Sequence, residues 1–307
     1  MLNVRAGMII LICVVWMSLS FAWGQTPELE APTDPLHPGS EIYPYRYSVN
    51  HFSCHGKTGT LFLPRNRGEE SKKFSVLVFG HGQALSLRYY KKSFAHFAGK
   101  GLAVIFPDYD HSFFDQNWRK MARDYVEIAD CALRENPDLN QENVIFSGHS
   151  KGAYVALLAS TVGPPVSPGS VLLFAPAGYD PEWIQKMNPQ VPLSIFYGER
   201  DQIIKPNLIR EIFEKSSSRH KQLITLRSFD RNNVKLPADH FYLLSENFFG
   251  KKWVGPFHFY GFWSWILGAA WDLKSGGHLK NPYLYGDKAL SDGFEPGVHL
   301  RERNSDF

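Results

Sequence analysis

The sequence predicts an α/β fold: a mostly parallel sheet with helices on both faces and no large cap domain. Short, nearly continuous apolar runs bounded by Gly, Pro and Asp alternate with segments of helical period, as expected of parallel strands buried on both sides and joined by crossover helices. A chain of 307 residues with 44% hydrophobic content can bury one large core, and no internal repeat breaks the alternation. With 15% aromatic and 21% charged residues, the composition excludes disorder, a collagen-like repeat and a coiled coil.

At the N-terminus, Arg5 precedes an uncharged run over residues 6–27 whose apolar centre is 8–16, and Ser20-Phe21-Ala22 gives the small-x-small pattern of a cleavage site. Residues 1–22 therefore read as a secretory signal peptide. The alternative is an uncleaved N-terminal membrane anchor, since residues 6–23 nearly reach the roughly 17 to 25 residues that a spanning helix needs. Both readings expect export, as a periplasmic or secreted protein or as one held at the membrane by its N-terminus. Residues 23–56 carry Pro27, Pro32, Pro35, Pro38 and Pro44 without a hydrophobic period and read as an extended leader. Within a core over 57–250, strands are expected at 60–63, 74–79, 102–106, 144–147, 170–174, 193–197 and 223–229. Helices are expected at 89–98, 118–133, 153–161 and 207–215.

Beyond the core, residues 251–307 form an aromatic extension. Its first part holds Phe257, Phe259, Tyr260, Phe262, Trp263, Trp265, Ile266, Leu267 and Trp271, apolar nearly all round. Such a segment is a buried packing helix, an aromatic wall for a substrate, or a peripheral membrane contact through 257–271. It is too short to span a bilayer. The stretch after Lys274 reads as a loop-like tail.

Charge and cysteine usage narrow the function classes. Thirty-three Lys and Arg against 30 Asp and Glu leave a net charge of +3, no electrostatic footprint of a nucleic-acid binder. Removal of the signal leaves Cys54 and Cys131, which an oxidising compartment permits to pair; sequence does not fix their distance. His51, Cys54 and His55 are zinc-type donors, but no fourth ligand stands at suitable spacing, so no metal is assigned.

The chemistry enters after the strand at 144–147, where the chain runs Gly148-His149-Ser150-Lys151-Gly152 into a helix. G-x-S-x-G alone is a weak pattern. Its place between strand and helix makes it a strong one, because a serine on that turn needs a strained backbone and the two glycines remove the side chains that would collide across it. The helix after the serine aims its positive dipole end at the same spot, which suits an oxyanion.

Here the chain resembles the α/β-hydrolase family, whose order is nucleophile, acid, histidine, with the resemblance covering roughly residues 57–249. The resemblance implies Ser150 as nucleophile. It places the acid in the loop Gly198-Glu199-Arg200-Asp201, three residues after the glycine, hence Asp201, with Glu199 as the alternative. Of twelve histidines, His240 in Ala238-Asp239-His240 comes after the last expected strand in a short loop leading to a helix and takes the place of the base. The family's His-Gly strand end matches Gly80-His81-Gly82-Gln83-Ala84, so the oxyanion donors implied are the backbone N–H groups of Gln83, with Ala84 as runner-up, and of Lys151. His81 and His149 flank the site and read as packing or hydrogen-bonding residues. The Lys151 side chain reads as solvated. Asp108, Asp110 and His111 lie at the carboxyl edge of the sheet, as pocket lining or as turn residues and helix caps.

The resemblance and the residues that carry it together lead us to expect an exported serine hydrolase that cleaves carboxylic esters through an acyl-enzyme, with a small-molecule or lipid-like ester as its partner and no metal or organic cofactor. A lipase, a thioesterase or a peptidase would use the same residues. A catalytically idle binding protein on the same fold is the reading from another class. With only residues 175–192 between two strands, no cap domain fits.

Overall fold

The computed structural model describes residues 31–65, 73–109, 117–178, 180–231, 234–277, 279–284 and 299–303. The expected signal peptide, with Asp110 and His111, lies outside them. Among the described residues no helix is long and apolar enough to cross a membrane.

The hairpin of β1 (Arg46–Cys54) and β2 (Lys57–Arg65) opens the sheet, and after it come β3 (Phe74–Gly80), β4 (Ala103–Asp108), β5 (Leu139–His149), β6 (Ser170–Phe174), β7 (Leu193–Gly198) and β8 (Lys221–Leu226). A small two-stranded pair, β9 (Phe229–Arg231) and β10 (Val234–Leu236), stands apart, and β11 (His299–Arg303) closes the chain. Among the described residues the main sheet has nine strands in the order β1-β2-β4-β3-β5-β6-β7-β8-β11. Strands β4, β3, β5, β6, β7 and β8 are parallel, and the flanking pairs β1–β2, β2–β4 and β8–β11 are antiparallel. The strand order turns back at β3, which lies between β4 and β5, so a crevice opens at the carboxyl ends of these strands, where ligands bind in open α/β sheets.

Among the described residues six α-helices cover the faces: α1 (Lys91–Gly99), α2 (Trp118–Glu135), α3 (Lys151–Ala159), the single turn α4 (Pro181–Ile184), α5 (Pro206–Lys215) and α6 (Trp263–Lys274). One core packs α2, α3 and α5 against inward residues such as Val76, Val78, Phe146 and Ile195. The other packs α1 and α6 against Leu77, Phe79, Ile145, Phe174 and Phe196. Alternation along β3 sends Val76 and Val78 to one side and Leu77 to the other, all fully buried, which is why the strand reads as an unbroken apolar run.

Several sequence expectations are corrected. Residues 46–54, inside the expected leader, form β1, an edge strand exposed along most of its length, so no hydrophobic period marks it. In the extension over 251–307, by contrast, the described residues bear out the packing reading. Phe257, Phe259, Phe262, Trp263, Trp265, Ile266 and Leu267 are buried in the second core, with Trp265 stacked on Phe196 at 4.3 Å between ring centres. Of the three roles open to this segment, packing is the one these buried side chains adopt. The last expected strand ends at Leu226 rather than Phe229, and the tail contributes β11, paired from His299↔Leu226 to Arg303↔Gln222. Among the described residues of 175–192, α4 is the one helix, as the short connection requires.

The leader is fixed by polar contacts. Lys100 donates to the Ser40 hydroxyl at 2.6 Å and to the carbonyls of Pro35 and His37 at 3.4 and 3.3 Å. His96, stacked on Trp263 at 3.7 Å, reaches the Pro38 carbonyl at 2.8 Å. Cys54 at the end of β1 is bridged to Cys131 in α2, with Cα atoms 6.3 Å apart, so the hairpin is tied to the helix behind it. That bridge takes up the one thiolate in the His51, Cys54, His55 group. His51 Nδ1 meets the Thr60 hydroxyl at 2.9 Å and His55 pairs with Glu127 at 2.8 Å.

Candidate active site

Strand β5 runs directly into α3 with Ser150 between them at φ 56° and ψ −121°. An L residue reaches that conformation only when its surroundings enforce it. The enforcement is visible in the backbone bonds. Ser150 N–H donates to the Phe174 carbonyl at 2.9 Å, and the Ser150 carbonyl accepts from Ala153 at 3.1 Å and from Ala177 at 3.0 Å. Close approach also demands the two glycines: a Cβ on Gly148 would strike the Gly152 carbonyl, and one on Gly152 would strike the carbonyl of Gly80. The elbow thus packs backbone to backbone on the end of β3.

The loop after β3 passes close by. A Cβ on Gly82 would stand 3.4 Å from the Ser150 Cβ. Gly82 begins a turn closed by Leu85 N–H to the Gly82 carbonyl at 3.1 Å, so Gln83 and Ala84 occupy its middle, with Ala84 at φ 55°. Gln83 is half-buried and Ala84 exposed. Lys151 is the first residue of α3, whose N-terminal dipole end is directed at the elbow. Its side chain is buried, 2% exposed, with Nζ 5.8 Å from the Trp118 ring centre, so the expected solvated lysine is corrected: the helix start is itself under neighbouring elements.

Asp201 and His240 are brought together. His240 Nδ1 lies 2.7 Å from Asp201 Oδ2, with the histidine side chain 4% exposed and the aspartate side chain 0%. The other carboxyl oxygen, Oδ1, accepts from the backbone N–H groups of Ile203 and Ile204 at 2.9 and 2.8 Å. Three donors therefore hold one buried carboxylate and offset its loss of water. A carboxylate only accepts, so Nδ1 of His240 carries the proton and a neutral ring keeps its lone pair on Nε2. Glu199, the alternative acid, turns to the Ser228 amide at 2.6 Å on the exposed side. His240 stands in a turn rather than ahead of a helix.

The pair joins the elbow through His149, whose Nε2 is 2.8 Å from the carbonyl of His240, with the two rings 4.9 Å apart. Burial holds His149 well below the usual histidine range, and the charge of His240 acts in the same direction. Asp239, next to His240, has its carboxyl pushed up to about 6, chiefly by burial, against the Phe241 amide that it accepts from at 2.8 Å. His81 is buried and stacked on Tyr109 at 4.2 Å, and the Tyr109 hydroxyl donates to the His81 carbonyl at 3.0 Å. Asp108 is the exposed last residue of β4, accepts from the Thr58 hydroxyl at 3.1 Å and lines a surface cavity with Thr58, Thr60 and Ser86, which fits the lining reading rather than the turn one. Sequence reasoning passed over Tyr90 and Tyr109, the tyrosines that brace this edge. Neither lies in a motif; each reaches the site only through the chain's return.

No protein-family model matches the chain. Over 98 residues it is 31% identical to chlorophyllase-1, chloroplastic, of Citrus unshiu, a match that spans 30% of this chain and 30% of that protein. Six parallel strands in this order, a serine held at positive φ between β5 and α3, and this stretch of similarity identify the chain as a protein of the α/β-hydrolase fold.

Proposed function

We propose that the protein is an exported serine hydrolase that cleaves carboxylic esters through an acyl-enzyme. The observation that carries the reading is the buried Asp201–His240 pair, 2.7 Å apart, at the same sheet edge as a serine held in a strained turn. The partial similarity to chlorophyllase, a carboxylic ester hydrolase, supports an ester as substrate and, at most, a lipophilic one. The Cys54–Cys131 bridge suits an oxidising compartment and so supports export.

Proton bookkeeping assigns the roles. A serine hydroxyl is a poor nucleophile until an imidazole accepts its proton, and His240 Nε2 is the basic nitrogen left once Nδ1 is bound to Asp201. Ser150 Oγ attacks the ester carbonyl carbon and its proton passes to His240. The backbone N–H groups of Gln83 and Lys151 receive the oxyanion. Collapse expels the alcohol, which takes the proton from His240. Water then repeats the sequence on the acyl-serine and releases the acid. Asp201 fixes the ring and offsets its positive charge.

Ser150→Ala tests this. It removes the nucleophile and little packing, so the variant keeps the wild-type melting temperature while fluorophosphonate labelling and ester turnover disappear. Labelling of the variant at the wild-type rate would place the nucleophile elsewhere. A panel of esters of rising acyl length then reads the substrate class.

A further inference from the structure

Two fully buried side chains outside the proposed triad join the three loops of the site. Gly82 N–H donates to the Tyr90 hydroxyl oxygen at 3.2 Å, the Tyr90 hydroxyl meets His149 Nδ1 at 2.9 Å, and His149 Nε2 meets the His240 carbonyl at 2.8 Å. Tyr90 and His149 are both 0% exposed.

Each link has a single allowed direction. A carbonyl accepts and never donates, so His149 Nε2 carries the ring proton. Desolvation keeps this ring neutral, so Nδ1 holds a lone pair and the Tyr90 O–H must donate to it. The Tyr90 oxygen then has a lone pair for the Gly82 N–H. The chain runs Gly82 N–H to Tyr90, Tyr90 O–H to His149, His149 N–H to the His240 carbonyl, every donor used and none reversed. A protonated His149 would break it, because two ring donors would leave the Tyr90 hydroxyl proton without an acceptor in a dry interior.

We propose that Tyr90 and His149 are positioning residues for ester cleavage, a directed hydrogen-bond relay that sets the oxyanion loop, the nucleophile elbow and the base loop in register. The inference rests on the serine-hydrolase reading above. Gly82 starts the turn that presents Gln83, His149 immediately precedes Ser150, and the carbonyl acted on belongs to His240 itself. Neither side chain has a place in the proton path. The relay acts on geometry, and displacements of about 1 Å in a constellation of this kind cost on the order of 100-fold in rate.

The test uses Tyr90→Phe, His149→Asn and the double variant in the full chain. Phenylalanine keeps the ring packed against Phe79 and Phe94 and removes only the hydroxyl; asparagine shortens the bridge so that the His240 carbonyl is no longer reached. Assays with a soluble short-chain ester run well below each melting temperature. Each single variant is expected to lower kcat by about 10- to 100-fold with KM changed less than about threefold, and to slow fluorophosphonate labelling in parallel. The double variant is expected to be no slower than the slower single, as for members of one unit. Lowered melting temperature with kcat within about twofold of wild type would reduce the two residues to packing and overturn the relay, as would losses that multiply in the double variant. If Tyr90→Phe does not fold, the same readouts on His149→Asn decide. Wild-type protein that resists the fluorophosphonate altogether would overturn the serine-hydrolase reading and this inference with it, a result distinct from variants that label as fast as wild type.

Discussion

At the scale of single residues, the site concentrates groups that water would treat differently. Asp201 meets His240 across space and Asp239 precedes it in the chain, yet only Asp201 has three donors on its carboxyl; Asp239 accepts from the Phe241 amide. The Asp239 carboxyl is accordingly held up to about 6, with burial as the main cause. Between about pH 4 and 6 the folded chain keeps a proton on Asp239 that the unfolded chain has lost, so this group favours folding below its unfolded pKa and the benefit is lost as pH rises through 6. Above pH 6 the folded state carries a half-buried carboxylate that costs on the order of 2 to 3 kcal/mol. Asp239→Asn, which keeps the acceptor for Phe241, is expected to unfold at a higher temperature than wild type at pH 8 and at the same temperature near pH 4. Calorimetry at the two pH values checks this; a difference independent of pH would mean that the carboxylate is not the cause.

At the scale of elements, what was legible in the sequence is what two-sided burial writes into it. Strands β3, β6 and β7 are buried at every residue and appear as apolar runs at their observed positions within a residue or so. The elbow is legible because Gly148 and Gly152 have no substitute where backbones touch. Strand β1 is not, since an edge exposed on both faces carries no period, and its membership of the sheet is set by the antiparallel register Arg46↔Arg65 to Cys54↔Lys57. Nor could α6 be placed: a helix buried nearly all round, from Trp263 to Ala270, looks the same in sequence whether it fills a core or faces lipid. The bridge from β1 to α2 supplies what the exposed strand lacks in packing. Cys54 and Cys131 are 77 residues apart, and closing a loop of that length restricts the unfolded chain by about 4.5 kcal/mol. Reduction, or Cys54→Ser, is expected to lower unfolding stability by roughly 2 to 5 kcal/mol while β2 to β8 keep their order. Denaturant titrations with and without reductant measure the change. Two thiols that alkylate freely in the native, unreduced protein would count against the bridge itself.

At the scale of the whole molecule, buried histidines set the response to acid. His96, His149 and His258 are each buried, and burial lowers all three, His258 to about 3. Each fits its surroundings as a neutral ring: His96 lies flat on Trp263, His149 forms the relay, and His258 is packed edge-on against Trp253 and Trp263. In the unfolded chain all three bind a proton as pH falls through about 6.5, so their contribution to stability is present above that value and is lost progressively below it. Asp239 opposes them, since there it is the folded chain that holds the proton. At pH 5 the unfolded chain gains nearly three protons on the histidines and forgoes nearly one on Asp239, a net uptake of about two. Stability should therefore fall with a slope of about 3 kcal/mol per pH unit around pH 5 and flatten above pH 7. Lys100 carries the trend past neutrality. Burial lowers its ammonium to about 8, so between there and the unfolded value near 10 the folded chain releases a proton first and stability rises again. Denaturant unfolding from pH 4.5 to 9.5 gives the slope directly. A net uptake of about two protons at pH 5 that rises to about three in Asp239→Asn would establish both signs at once, whereas a flat profile from pH 5 to 7 in Asp239→Asn would mean that the three rings are protonated in the fold and that His149 cannot pass a hydrogen bond in the direction the relay requires.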